Sequence, residues 1–319
     1  MNPPPVMQTF LGAPRADAAG APETSAPARF AFLGLPLYVP YGDEPARLPP
    51  TESVAVVSAA DAVRQASVGY AAILGHYDFD LGGPLVPEGV DARFVDGGDV
   101  KPSGDLVADL AAGTAAVRAI AAAGTTPLVV AGDHSAPPAV VRGLTDDRPL
   151  DVLHVDAHLD FRDEVGGLRD GYSSPIRRLR ELPWVRTIVQ VGLRDVGSAR
   201  EAEVAAARAA GNVLVRAEDV HEHGVDPLIE LFEPGCRVYV TIDVDGLDPS
   251  CAPGTLWPAP GGLWFWQLAR LVRGVATRSE LAGMDICEFV PARDPQGTTA
   301  LAAARLFMIA AGAALRRPA

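Results

Sequence analysis

Short apolar runs alternate along this chain with stretches whose apolar residues recur at helical spacing. The first run, Phe30-Ala31-Phe32-Leu33-Gly34-Leu35, reads as an opening strand. Helical spacing then predicts a helix over 58–74, a strand at Val90–Val95, and a helix over 104–123 that Gly124 stops. A buried strand follows at Pro127–Ala131, a short helix near 136–144, a strand at 151–156 and a helix near 173–182. The second half predicts strands at Arg186–Val191, 212–216, 236–242 and 281–286. Its helices fall at 198–210, 225–232, 264–276 and in the last twenty residues. Strands that alternate with helices require right-handed crossovers, so the expected fold class is three-layer α/β with a mainly parallel central sheet.

Two stretches interrupt this rhythm. Residues 1–28 are rich in Pro, Ala, Gly, Ser and Thr, and are expected to form a flexible arm or an extended strap over the surface. The segment 38–51 is dense in proline and reads as a long loop. With no internal repeat and no linker, 29–319 is expected to be one domain.

Composition narrows the function classes. Of 319 residues, 48% are hydrophobic and 21% charged, which is ordinary for a globular protein. A net charge of −13 argues against a nucleic-acid binder, which needs a basic face. Three cysteines (Cys236, Cys251, Cys287) without CxxC spacing suggest a reduced, cytoplasmic protein. The opening residues lack a basic n-region and an apolar h-region, so no signal peptide is expected. Arg305 interrupts the Ala-rich segment 299–315, which reads as a buried helix and not a membrane span.

The chemistry gathers where apolar strands end. In Asp156-Ala157-His158-Leu159-Asp160 the polar residues alternate, and alternation leaving a strand points such side chains to one side. Asp133-His134 ends the run Leu128–Ala131, and Asp243-Val244-Asp245 ends Val238–Ile242. Each cluster alone could be a solvated or capping turn. Together His134, His158, Asp156, Asp160, Asp243 and Asp245 offer two histidines and four aspartates at one sheet edge, where open α/β sheets put their sites. Carboxylates buried together repel and are costly to desolvate unless a cation joins them. So many oxygen donors suit two hard or borderline divalent cations, Mn²⁺ first, and metal-assisted hydrolysis.

The segments A-G-D-H-S (131–135), H-V-D-A-H-L-D (154–160) and T-I-D-V-D-G-L-D-P-S-C-A-P-G-T (241–255) resemble the three signatures of the ureohydrolases, the arginase and agmatinase superfamily. A fourth, G-M-D-I-C-E-F-V-P (283–291), resembles that family's late strand, and the likeness runs from about residue 95 to the C-terminus. The resemblance implies an arginase-like fold and two Mn²⁺ ions, with Ni²⁺ or another divalent ion as substitutes. His134, Asp156, Asp160 and Asp243 would hold one ion, and Asp156, His158, Asp243 and Asp245 the other. It implies that a metal-bridging hydroxide attacks a guanidinium carbon, releasing urea and an amine. Asp160 would orient the hydroxide and pass its proton to the leaving amine, and Glu288 would accept hydrogen bonds from the guanidinium. The expected partners are a small guanidino substrate and further copies of the chain, as a trimer or hexamer, without nucleic acid or membrane.

Three departures bear on substrate. Tyr172, in the run Tyr172-Ser173-Ser174, replaces the histidine of agmatinase-like members, and a phenol of pKa near 10 shuttles protons poorly at neutral pH. The family's early Arg-Pro-Gly segment is not recognisable within 36–57. Leu256-Trp257 replaces small residues, making Trp257 a candidate pocket wall, whereas Trp264 and Trp266 read as the packed face of a helix. The expected substrate is therefore a guanidino compound other than free arginine, larger or less polar than agmatine. The alternatives are a formimidoyl-type C–N hydrolase and a catalytically inactive metal-bound relative. His221 and His223 lie outside the strand-end set and read as surface or helix-end residues.

Overall fold

A computed structural model describes residues 8–16, 28–39, 41, 58–144 and 148–317. Among them, eight strands pair in one parallel sheet. These are β1 (Phe30–Leu35), β2 (Phe94–Asp99), β3 (Thr126–Ala131), β4 (Leu150–Val155), β5 (Val185–Leu193), β6 (Val213–Arg216), β7 (Arg237–Asp243) and β8 (Glu280–Cys287). The helices are α1 (Ala59–Ala71), α2 (Leu106–Ala122), α3 (Pro137–Gly143), α4 (Pro175–Arg180), α5 (Glu201–Ala209), α6 (Ala217–His223), α7 (Asp226–Ile229), α8 (Phe265–Arg278) and α9 (Thr298–Ala314).

Alternation across each strand builds the three layers. Leu153 and Val155 of β4, with Val240 and Ile242 of β7, share one core with apolar residues of α1, α6, α8 and α9. Leu150 and Val152, pointing the other way, share the second core with α2, α3, α4 and α5. The Ala-rich segment is α9, buried along nearly its whole length. No helix among the described residues is long and apolar enough to cross a membrane.

Strand order places the site. Across the sheet it runs β2-β1-β3-β8-β7-β4-β5-β6. The chain leaves β3 and skips two positions to reach β4; β7 and β8 later fill that gap. The carboxyl ends of β3, β8, β7 and β4, each followed by a motif, thus lie side by side where the strand order switches. Register levels them: Val155 pairs with Ile242, Asp243 with Cys287, and Val130 with Ile286.

Several expectations shift. β2 starts at Phe94 instead of Val90, because its pairing with β1 begins at Phe30 opposite Phe94. It takes in Asp96, buried beneath Arg64 of α1 at 2.8 Å. Part of the N-terminal arm is a strap. Phe10 is buried, stacks on Phe32 with ring centroids 4.7 Å apart, and donates its N–H to Asp96 at 2.9 Å. Residues 1–7 and 17–27, and most of the 38–51 loop, lie outside the described residues. Trp264 and Trp266 are exposed, not packed. Trp264 is the extended N-cap of α8, and the buried stripe Leu268, Leu271, Val272 and Val275 leaves Trp266 on the solvent side. The unforeseen helix α6 carries His221 and His223; the imidazole of His223 meets its own helix's Asp219 carbonyl, at 3.0 Å.

Candidate metal centre

Every strand-end candidate converges. His134 Nδ1 lies 3.1 Å from Asp156 Oδ2, 3.0 Å from Asp160 Oδ2 and 3.7 Å from Asp243 Oδ2. His158 Nδ1 lies 3.4 Å from Asp156 Oδ1 and 3.1 Å from Asp245 Oδ2. Asp156 therefore stands between two groups of donor atoms, as a shared ligand must. The donor atoms of Asp156, His158 and Asp245 lie within 4.8 Å of one another, and so do those of His134, His154, Asp156 and Asp160. Either group could hold a cation.

The backbone around the candidate ligands is tightly tied. His158 N–H donates to Asp156 at 2.6 Å, Ala157 N–H to Asp245 at 3.1 Å, and Asp245 N–H to Asp243 at 2.9 Å. Gly132 lets β3 pass under the loop after β1, since a Cβ there would sit 1.8 Å from the Leu37 carbonyl oxygen. Glu288 is held to the same strand end from both sides. Its N–H donates to the Gly132 carbonyl at 2.7 Å, and its carboxylate accepts from His134 N–H at 3.0 Å. Asp160 and Glu288 both have left-handed backbones, with φ of 49° and 60°. Left-handed φ is unfavourable for residues with a Cβ and clusters at functional sites.

Electrostatics shows what charge the cluster calls for. Burial and then repulsion from Asp245, Asp156 and Glu288 push the Asp243 carboxyl well above the usual carboxylate range. Burial and the charge of Asp156 carry Asp160 up to about 7, and burial with Asp133 carries Glu288 up to about 8. Burial would raise Asp156 too, but hydrogen bonds from His134, His154 and His158 outweigh it and hold that carboxyl well below its ordinary value. Burial opposes a charge on His158, yet its carboxylate partners push it up to about 12. Protons on His134 and His158, which those carboxylates favour, would supply the positive charge these acids require, whereas burial holds His154 below its ordinary value. Divalent cations would supply it better, and nitrogen and carboxylate donors without a thiolate fit hard or borderline ions. The residues present fit a metal pair.

Tautomer geometry separates His154 from the other candidate ligands. The Gln190 amide donates to the Leu159 carbonyl at 2.8 Å and contacts His154 Nδ1 at 3.1 Å, while its oxygen accepts from Asn212 at 2.9 Å. Nδ1 is thereby the acceptor, and Nε2–H donates to Asp156 Oδ2 at 3.0 Å. His154 orients Asp156 from behind. On the other flank, His134 Nε2 meets the Thr241 hydroxyl at 3.1 Å, and Thr241 donates to buried Asp285 at 2.7 Å. The motif reading missed His154, Thr241 and Asp285. His154 keeps phase with Asp156 and His158, so the same alternation could have found it.

Above these groups opens a cavity of about 300 Å³ lined by His158, Asp160, Tyr172, Asp243, Asp245, Trp257 and Glu288. Tyr172 is buried in its wall, and Trp257 is 55% exposed at its rim. Ser173 lines it too, with Val196, Gly197 and Ser198, three residues that no sequence signal marked.

A family model described as Arginase family matches residues 53–312. The chain belongs to the arginase family. The match starts at residue 53, well before the first recognised motif, and leaves most of the divergent stretch 36–57 outside it. Over 197 residues the chain is 36% identical to a mitochondrial arginase of Medicago truncatula, covering 56% of this chain and 53% of that protein. It is 38% identical over 197 residues to a guanidinopropionase of Pseudomonas aeruginosa, covering 59% of this chain and 61% of that one. The matched part thus spans little more than half the length of these relatives. The solved proclavaminate amidino hydrolase of Streptomyces clavuligerus superposes over 98% of both chains, with a TM-score of 0.76 and 25% identity. The single parallel sheet flanked by helices is the arginase-like fold.

Proposed function

We propose that the protein hydrolyses a guanidino compound to urea and an amine with the help of two divalent cations, Mn²⁺ first. The observation that carries this reading is the placement of Asp156 between His134 and His158, with Glu288 facing the same cavity. His134, Asp156, Asp160 and Asp243 would hold one ion, and Asp156, His158, Asp243 and Asp245 the other. When bound, the pair supplies the Lewis acidity that makes water a nucleophile at neutral pH and offsets the charge of a tetrahedral carbon. The relatives support the substrate class, since their names specify arginine, guanidinopropionate and an amidino group.

The chain's own residues divide the remaining work. Glu288, fixed by its two ties to Gly132 and His134 just after β3, offers a carboxylate whose plane matches a guanidinium, two N–H groups to two oxygens. Asp160 lines the same cavity, and a carboxylate there would take the proton of the attacking water and return it to the departing amine. Tyr172 and Trp257 wall the space beside the reacting carbon and restrict the tail. Tyr172, a poor shuttle at neutral pH, leaves the proton transfers to Asp160.

The test is urea release from agmatine, 4-guanidinobutyrate, 3-guanidinopropionate, arginine and larger guanidino compounds, with Mn²⁺ and Ni²⁺ compared. Release from at least one supports the reading. No urea from any of them, with metal bound, would sink it.

A further inference from the structure

The loop after β1 is fastened to the site at two points. Val39 N–H donates to Asp133 Oδ2 at 2.5 Å, and Asp133 N–H donates to the Leu37 carbonyl at 2.9 Å, next to His134. Farther on, the Tyr41 hydroxyl accepts from Ser173 N–H at 2.8 Å, and its ring lies against Tyr172 with centroids 4.3 Å apart. Tyr41 is buried, and Gly171 passes so close that a Cβ there would sit 2.2 Å from Tyr41 Cε1. Only glycine lets the ring seat fully.

Behind this contact lies a second cavity, of about 350 Å³, lined by Tyr41, Arg162, Val165 and Arg200 among others. It shares Tyr172, Ser173, Gly197 and Ser198 with the metal cavity, so those residues are the boundary between the two. Tyr172 has the metal cavity on one side and Tyr41 on the other.

We infer that Tyr41 is a positioning residue that sets the length of substrate tail the metal cavity admits, by holding Tyr172 in the boundary between the two cavities. The inference rests on the guanidino reading of the metal cavity. With the Tyr41 ring removed, space opens behind Tyr172 and joins the outer cavity. Longer tails then gain buried surface that the wild-type boundary denies them, about fourfold in affinity per methylene.

Calorimetric titration of the Mn²⁺-loaded full chain with alkylguanidines, methyl to hexyl, tests this. For the wild type, affinity should rise with length and then level off. Tyr41→Ala should extend the rise by at least one methylene, and Gly171→Ala, which displaces the ring without removing it, should do the same. Tyr41→Phe keeps the ring and should keep the wild-type levelling point. If Tyr41→Ala has wild-type metal content and melting temperature yet levels off at the wild-type length, the inference is overturned. If the wild type binds no alkylguanidine at all, the guanidino reading fails, and a crystal structure of Tyr41→Ala decides the positioning role by itself. Tyr172 shifted into the vacated space supports it; Tyr172 in its wild-type place overturns it.

Discussion

Glu288 carries its carboxylate on a left-handed backbone, with φ of 60°, at the end of β8. Two substitutions that both delete the carboxylate separate the backbone from the side chain: Glu288→Ala keeps the Cβ and Glu288→Gly removes it. A left-handed residue with a Cβ costs about 1–2 kcal/mol, and glycine avoids that cost. Glycine loses more chain entropy on folding, about 0.5–1 kcal/mol relative to alanine. The difference favours glycine at this position by roughly 0.5–1 kcal/mol, the reverse of the order at an ordinary site. Urea denaturation of the two variants, compared at equal slope, reads it directly. Both variants should keep full metal content, and kcat/KM should fall at least about 100-fold with the loss of two charge-assisted hydrogen bonds. An alanine variant as stable as the glycine variant would refute the claim that strain is held at 288. Turnover near wild type would refute the role of Glu288 in substrate binding.

Three further outcomes follow from the site. Asp243→Asn should lose both bound metals together with activity, measured by elemental analysis, and full retention of metal would remove Asp243 as a shared ligand. His154→Phe should keep two metals per chain but bind them about 10–100-fold more weakly, as expected for a group orienting a ligand; loss of one equivalent would make His154 a ligand instead. Chelation should lower the melting temperature, because an ion at 100 times its Kd contributes about 2.7 kcal/mol to the folded state; an unchanged melting temperature after verified metal removal would contradict binding at these buried acids.

Much of the site was legible because strand chemistry is periodic. The alternation of Asp156, His158 and Asp160 after an apolar run marks them as a group, although β4 ends at Val155 and the turn through left-handed Asp160, not strand period, completes their convergence. The sequence does not show that β7 and β8 return to fill the gap between β3 and β4, since crossover order is a long-range property; the family resemblance stood in for it. The metal cavity's wall was only partly legible. Val196, Gly197 and Ser198 follow β5 in a loop without periodicity, and they reach the cavity only through the fold. Tyr41 lies in a proline-rich stretch that gives no local signal, and its meaning comes from contact with Tyr172, more than a hundred residues away. The misplaced start of β2 has a similar origin: pairing with β1, not apolar content, sets where that strand begins.

The central claim is a two-metal centre built from three strand ends. Anomalous scattering from crystals grown with Mn²⁺, collected at the manganese edge, tests it most directly. The account requires two peaks in the one cavity, one beside His134 and Asp160 and the other beside His158 and Asp245, with Asp156 between them. A single peak, or peaks away from Asp156, would contradict it.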